Sequence, residues 1–259
     1  MKWAVYDLSR NSPSFDFMNF MQPALERGAE GVWLVNGQDP MGKVYGDSKS
    51  QERRVQNIIL PIIKLYGLEV ERSDKRPKEE IVWPAYEQGE AHLFCWSVKM
   101  EKPFPLMPSQ EALDRANDRM GGKRKLVVSL RDYHYDLPRN SGPDWKQWAE
   151  DHDAILIDDA FNVPITIDDR LALYELASLN LGVAAGHTAL QYFSYRPCLV
   201  FKWIVEGSKV SSINYQTKRV GWPEGSQFKW SGNKQKLLWH GKDGYESIEA
   251  EYRAYLARQ

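Results

Sequence analysis

Along the chain, short apolar runs of strand-forming residues alternate with longer stretches whose apolar positions recur at helical spacing, and this alternation predicts an α/β protein built on parallel sheets. Trp3 to Leu8 is the first run, closed by the loop Ser9-Arg-Asn-Ser-Pro-Ser14. Met18, Phe20, Met21, Ala24 and Leu25 then follow with helical periodicity, Asp16 is the expected cap, Gly28 and Gly31 end the helix, and Gly31-Val-Trp-Leu-Val35 is the second strand. After a polar loop from Asn36 to Ser50, an amphipathic helix is expected over Glu52 to Tyr66, with a kink at Pro61. Leu68 to Glu71 and Ile81 to Trp83 read as strands, Lys75 to Glu80 as a solvated turn, and His92 to Val98 as a further apolar run.

The pattern changes at Lys102-Pro-Phe-Pro-Leu-Met-Pro108, where three prolines favour a stiff, extended connection. A domain boundary is therefore expected there, between 105 and 106. A helix over Gln110 to Met120 leads into a second alternation. Lys125 to Leu130, Ala154 to Asp158, Leu181 to Ala185 and Cys198 to Lys202 are its strands; helices are expected near Trp145 and over Arg170 to Leu179. Beyond Trp203 the patterning weakens into polar loops bearing Trp222, Phe228, Trp230 and Trp239, before a final helix from Tyr245 to Ala257 that carries Ile248, Tyr252 and Leu256 on one face.

The 259 residues leave room for one large or two small domains. With 42% hydrophobic and 27% charged residues the chain has the composition of a globular protein, not a disordered one. A net charge of -1 removes the simplest argument for a nucleic-acid partner. No stretch approaches the length a membrane helix needs, and the N-terminus meets Asp7 before any signal-like apolar region. Cys95 and Cys198, the only cysteines, lack metal-type spacing and are expected to be buried free thiols in a reducing compartment, which makes the cytoplasm the expected location.

Candidate chemistry concentrates at the carboxyl ends of strands, where open α/β sheets bind ligands. Arg131 and Arg139 follow the strand at 125–130, and guanidinium is a planar, permanently charged fork suited to phosphate oxygens. Pairing with Asp132, Asp136 or Asp144 is the alternative. Asn140 and Ser141 are further donors to the same anion, or caps of the helix near Trp145. Gly186-His-Thr188 closes one strand and opens a helix, which would aim backbone N–H groups at the same edge, with Gly186 allowing close approach and the Thr188 hydroxyl donating. An ordinary strand-to-helix turn accounts for the same residues. His187 is a phosphate contact or an acid–base group, or a structural histidine. Glu175 is a candidate for the ribose hydroxyls of a nucleotide, while Asp168 or Asp169 is expected to cap its helix. In the first half, Asp7 ends a strand and Arg10 follows it; Asp7 is a candidate general base, or a group that bonds amides of its own loop. Ten tryptophans would suit sugar stacking, although Trp33 and Trp203 are expected in the core. Phosphate-loop, dinucleotide, serine-hydrolase and zinc-protease signatures are absent.

The strings Val127-Val-Ser-Leu-Arg-Asp132, Arg139-Asn-Ser141 with Trp145, Asp169-Arg-Leu-Ala-Leu-Tyr-Glu175 and Leu181-Gly-Val-Ala-Ala-Gly186 resemble bacterial glycosyltransferase-like proteins of the GT-B fold, in the layout of the heptosyltransferase and α-1,6-fucosyltransferase groups. The resemblance covers the second half of the chain. It implies two Rossmann-like domains with parallel sheets facing a cleft: an acceptor-side domain over 1–105, a nucleotide-sugar domain over 106–242, and a terminal helix over 243–259 packing back toward the first domain. It also implies Arg131, Arg139, Asn140, Ser141, Gly186 and Thr188 at the donor diphosphate, Glu175 at the ribose, Asp7 and His187 as catalytic groups, and Arg10 on the acceptor side. The implied reaction is metal-independent and needs no cofactor, moving a sugar from a nucleotide-diphosphate donor to a glycan or other hydroxyl acceptor. A sugar-nucleotide epimerase and a non-catalytic nucleotide- or sugar-binding protein are the alternatives. The chain departs from the family where its first strand ends in Asp-Leu-Ser-Arg-Asn in place of a glycine-rich acceptor loop.

Overall fold

The computed structural model describes residues 1–38, 48–84, 90–132, 137–157, 165–208, 211–240 and 242–259. The chain divides into two compact units, Met1–Met107 and Pro108–Gln259, and the division falls at the end of the proline-rich segment.

The first unit carries β1 (Trp3–Asp7), α1 (Phe17–Glu26), β2 (Gly31–Val35), α2 (Ser48–Arg54), α3 (Leu60–Leu65), β3 (Glu69–Ser73), β4 (Ile81–Pro84) and α4 (Glu90–Ser97). Its strands form a parallel sheet in the order β3-β2-β1-β4. β1 is buried along its whole length, as a strand covered on both faces must be, whereas β3 is an exposed, charged edge. The core forms where Tyr6 meets Phe17 and Phe20 with ring centroids 4.9 Å apart in both pairs. Asp16 stands at the start of α1 but makes no capping bond; it pairs with Ser14 Oγ instead.

The long helix expected over Glu52 to Tyr66 is interrupted by a π-helical turn at Val55–Ile59. The cause is Pro61. It has no N–H to complete the ladder, and the Leu60 N–H reaches back five residues to the Val55 carbonyl. The apolar run near His92 is helical. The proline-rich segment is tied to its own unit at Phe104: its N–H donates to Gln22 Oε1 at 2.7 Å and its carbonyl accepts from Tyr66 Oη at 2.9 Å. Burial pushes the Tyr66 phenol well above its ordinary pKa.

The second unit carries α5 (Gln110–Met120), β5 (Leu126–Ser129), α6 (Asp144–Asp151), β6 (Ile155–Ile157), α7 (Ile167–Leu176), β7 (Leu179–Val183), α8 (Ala189–Tyr192), β8 (Cys198–Phe201), β9 (Gln235–Leu237) and α9 (Tyr245–Leu256). All five strands are parallel, in the order β6-β5-β7-β8-β9. Strand alternation puts Leu126 and Val128 in one core with Trp145, Trp148, Ile248 and Tyr255, and turns Ser129 toward Tyr174 on the other face. α5 is capped by Ser109 and stopped by Gly121 in the left-handed conformation. The cap of α7 is Thr166, not Asp168 or Asp169; Asp168 accepts from the Ser109 N–H and hydroxyl, while Asp169 pairs with Arg115.

Two features of the C-terminal part complete the core of this unit. The terminal helix α9 packs on its own unit: Ile248 and Tyr255 enter the core beside Trp148, Trp148 Nε1 donates to Glu249, and Tyr245 Oη donates to Asp151. Leu256, expected on the apolar face, is exposed, and Tyr255 takes the inward position. The weakly patterned stretch after β8 is an aromatic cluster, in which Phe228 stacks on Trp230 at 4.6 Å and on Tyr192 at 4.7 Å and Trp222 packs against Trp203 and Trp239. Seven of the ten tryptophans are buried, while Trp96, Trp230 and Trp33, the last expected in the core, are half-buried. Neither cysteine is in a disulfide; Cys198 is fully buried and Cys95 only partly so.

A Cβ at Gly182 would stand 2.7 Å from the Ser129 carbonyl oxygen, so β7 lies too close to β5 for any larger residue. Gly182→Ala is expected to cost about 1–3 kcal/mol, read as a lower urea midpoint.

Hydrogen bonding from Arg253 lowers the pKa of Glu249, and hydrogen bonding from Tyr245 lowers that of Asp151. Depressed folded-state values contribute stability above the ordinary carboxylate range and lose it on acidification. Amides of α9 are therefore expected to lose hydrogen-exchange protection as the pH drops below 4.5 and then 3.8, the ordinary values of the two groups.

Candidate functional site

In the second unit, β6 lies on one side of β5 and β7 on the other, so the chain reverses its direction of travel across the sheet between β5 and β7. Loops that leave the carboxyl ends of these two strands separate there and open a crevice. Arg131 and Ala184 each lie just beyond one of these ends.

Around this edge the segment after β5 folds back on itself. Ser141 N–H donates to the Arg131 carbonyl at 2.9 Å, and the Arg131 N–H donates to Ser141 Oγ at 2.9 Å. Arg131 is 2% exposed, and its Nη1 donates to Asn140 Oδ1. Asn140 and Ser141 thus serve the arginine and not the next helix, which starts at Asp144 without a side-chain cap. Asp144, one of the carboxylates that might have neutralised the arginines, accepts from the Tyr245 N–H instead; Asp136 lies outside the described residues. Arg139, half-buried, crosses to the neighbouring loop, where its Nη2 donates to the Ala184 carbonyl at 3.1 Å.

Gly186-His-Thr188 forms a single 3-10 turn followed by the four-residue α8. So short a helix sums few peptide dipoles, and the expected attraction of an anion by a helix end is correspondingly weak. The Thr188 hydroxyl donates to the Ala185 carbonyl at 2.6 Å, and Thr188 is buried. Its role is to lock the turn. His187 is wholly buried beside it.

Glu175 lies at the other edge of the sheet. Helices that return between parallel strands run against them, so the end of α7 lies at the amino edge of the sheet, roughly 13 Å from the carboxyl edge along the β7 ladder. There Glu175 forms an ion pair with Arg196, which precedes β8.

Two residues at the carboxyl edge escaped the reading of the sequence. Lys202, immediately after β8, donates from Nζ to the Asn140 carbonyl at 2.6 Å and lies 3.3 Å from both oxygens of Asp243. Asp243 in turn accepts from the Gly142 N–H at 2.7 Å and from Trp145 Nε1 at 3.2 Å. Only Lys202 left a trace in the sequence, as a charge ending an apolar strand. Asp243 left none, because its partners lie 41 to 101 positions away.

In the first unit, Asp7 ends β1 and is buried. Its Oδ1 accepts from the Ser9 N–H at 2.9 Å and the Ser9 hydroxyl at 2.6 Å, and Oδ2 lies 3.6 Å from Arg76. Arg10 is exposed in the same loop. No group of residues suited to holding a metal ion is present among the described residues, and no helix among them is long and apolar enough to cross a membrane.

Each unit is thus an α/β layer on an all-parallel sheet, and the second has the 2-1-3-4-5 strand order of the flavodoxin-like doubly wound proteins. No family model matches the chain, and neither does any curated protein. Solved structures similar to it include E. coli ADP-heptose lipopolysaccharide heptosyltransferase II, at 9% identity over 99% of this chain and 76% of that one with a TM-score of 0.45, and the dodecameric iron-containing heptosyltransferase TibC in complex with ADP-D-β-D-heptose, at 10% identity over 98% and 76% with a TM-score of 0.45.

Replacing Thr188 by Val keeps the shape of the side chain and removes the bond to Ala185. A loss of about 1 kcal/mol in unfolding free energy is expected, measured by chemical denaturation.

Proposed function

We propose that the second unit binds the diphosphate of a nucleotide sugar at the β5/β7 edge, and that the protein transfers the sugar from that donor to a hydroxyl acceptor. The observation that carries this reading is the meeting, at the topological switch point, of the Arg139 guanidinium, the Arg131–Ser141 loop closure and the segment from Ala184 to Gly186. Strands of an open sheet direct ligands to that place, and a half-buried guanidinium there is a strong donor to phosphate oxygens. Arg139 is the proposed direct contact. Arg131, Asn140 and Ser141 shape the loop that presents it, and Gly186 lets backbone approach the ligand.

In the proposed reaction the bond between the anomeric carbon and the diphosphate oxygen breaks, and its electron pair leaves with the nucleoside diphosphate. An acceptor hydroxyl oxygen forms the new bond to that carbon and loses its proton. The positive charge at the edge stabilises the departing diphosphate as its charge grows, without the proposal requiring a metal or cofactor. Asp7 is the proposed base and Arg10 its neighbour on the acceptor side; Ser9 holds Asp7 Oδ1, which makes Oδ2 the oxygen proposed to take the proton.

Both similar structures carry heptosyltransferase in their descriptions, and one holds an ADP-sugar, which makes ADP and ADP-heptose natural first probes beside GDP, UDP and their sugars. Titration calorimetry is expected to show wild-type protein binding at least one of these diphosphates, and Arg139→Ala to weaken that binding about tenfold or more. Mass spectrometry with donor alone and with a glycan panel then separates transfer from isomerisation. Failure of the wild type to bind any nucleoside diphosphate at millimolar concentration would end the proposal.

A further inference from the structure

We propose that Lys202 is a positioning residue of the nucleotide site: its ammonium, balanced by Asp243, holds the arginine-bearing loop in the geometry that receives the diphosphate. The inference rests on the reading of the site given above and adds a residue to it.

Backbone conformation supplies the first argument. Lys202 has φ +53°, in the left-handed region where a Cβ crowds the following carbonyl and where glycine sits without penalty. Lysine brings no conformational advantage there, so what it contributes must come from its side chain.

That side chain is spent on one loop. Its ammonium is 2.6 Å from the Asn140 carbonyl and 3.3 Å from each oxygen of Asp243, with the side chain only 17% exposed. Asp243 holds the same loop two residues further on, through the Gly142 N–H at 2.7 Å. Between these two anchors lies Ser141, which closes the ring onto Arg131, and Asn140 bonds the Arg131 guanidinium. Lysine and aspartate neutralise each other, so the clamp fixes a loop rich in positive charge without leaving an unpaired carboxylate beside an incoming anion. Strained backbone held by surrounding contacts is typical of sites where geometry matters more than stability.

A clamp of this kind and a merely structural ion pair respond differently to substitution. Lys202→Gly relieves the backbone but also takes the ammonium from Asp243 and the Asn140 carbonyl; the two effects oppose each other, so the thermal midpoint is expected to stay within about 4 °C of the wild type. At the same time, binding of whichever of ADP, GDP or UDP the wild type prefers is expected to weaken about tenfold or more, because the loop loses a charge-assisted bond. Lys202→Met, which keeps the strained backbone and removes only the ammonium, should show the same loss of affinity. Wild-type affinity in either variant overturns the inference, as does a loss of affinity in Lys202→Gly accompanied by a fall in thermal midpoint of more than about 4 °C. Should the wild type itself bind none of the three, it is the nucleotide-sugar reading that fails, and the two failures are distinct.

Discussion

Burial of the Arg131 guanidinium is the constraint around which the carboxyl edge of the second sheet is organised. A cation that is 2% exposed is costly unless hydrogen bonds replace the water it gives up. The chain meets that cost locally, by folding 137–142 back so that Asn140 faces the guanidinium and Ser141 closes on the Arg131 main chain. This closure fixes where Arg139 emerges, and from there Arg139 reaches the loop after β7. Position at the switch point and geometry of the loop are thus set by separate causes, the first by strand order and the second by a buried charge.

Close approach of the two central strands is the other condition. β5 and β7 pair in register from Leu126 to Ser129, and only glycine at 182 lets Ser129 stand where it does. Ser129 shares a hydrogen bond with Tyr174, whose hydroxyl also accepts from buried Arg170. A polar network therefore runs beneath the edge on the face opposite the Trp145 and Trp148 core.

The strands were legible because burial on both faces leaves continuous apolar runs, and the helices because their stripes repeat. Features that failed to show share one property, dependence on residues distant in sequence. β9 has only three residues, Gln235 to Leu237, and is a strand because β8 offers it an open edge. The aromatic cluster after Trp203 has no period to detect. The edge at which Glu175 lies follows from topology: an intervening helix between parallel strands must end near the start of the next strand, and Glu175 lies a few positions before β7. His187 and Thr188 are both buried. Their short turn hides both, and burial is not visible in a local motif.

Docking of the terminal helix onto its own unit gives Asp243 a meaning that its position in the sequence does not suggest. Asp243 directly precedes Gly244, at the start of α9, whose Ile248 and Tyr255 anchor in the same core as Trp145 and Trp148. The carboxylate that holds the Gly142 N–H and the Trp145 indole is therefore fixed in space by the packing of a helix about a hundred residues from the loop it supports. Asp144 returns the connection by accepting from the Tyr245 N–H. Irregular loops are poor platforms for precise geometry unless a rigid element braces them, and here α9 braces the arginine loop through a pair of reciprocal contacts between the residues that begin α6 and α9. Packing energy in the core is thereby converted into positional order at the sheet edge, which is where the chemistry of a bound anion would need it.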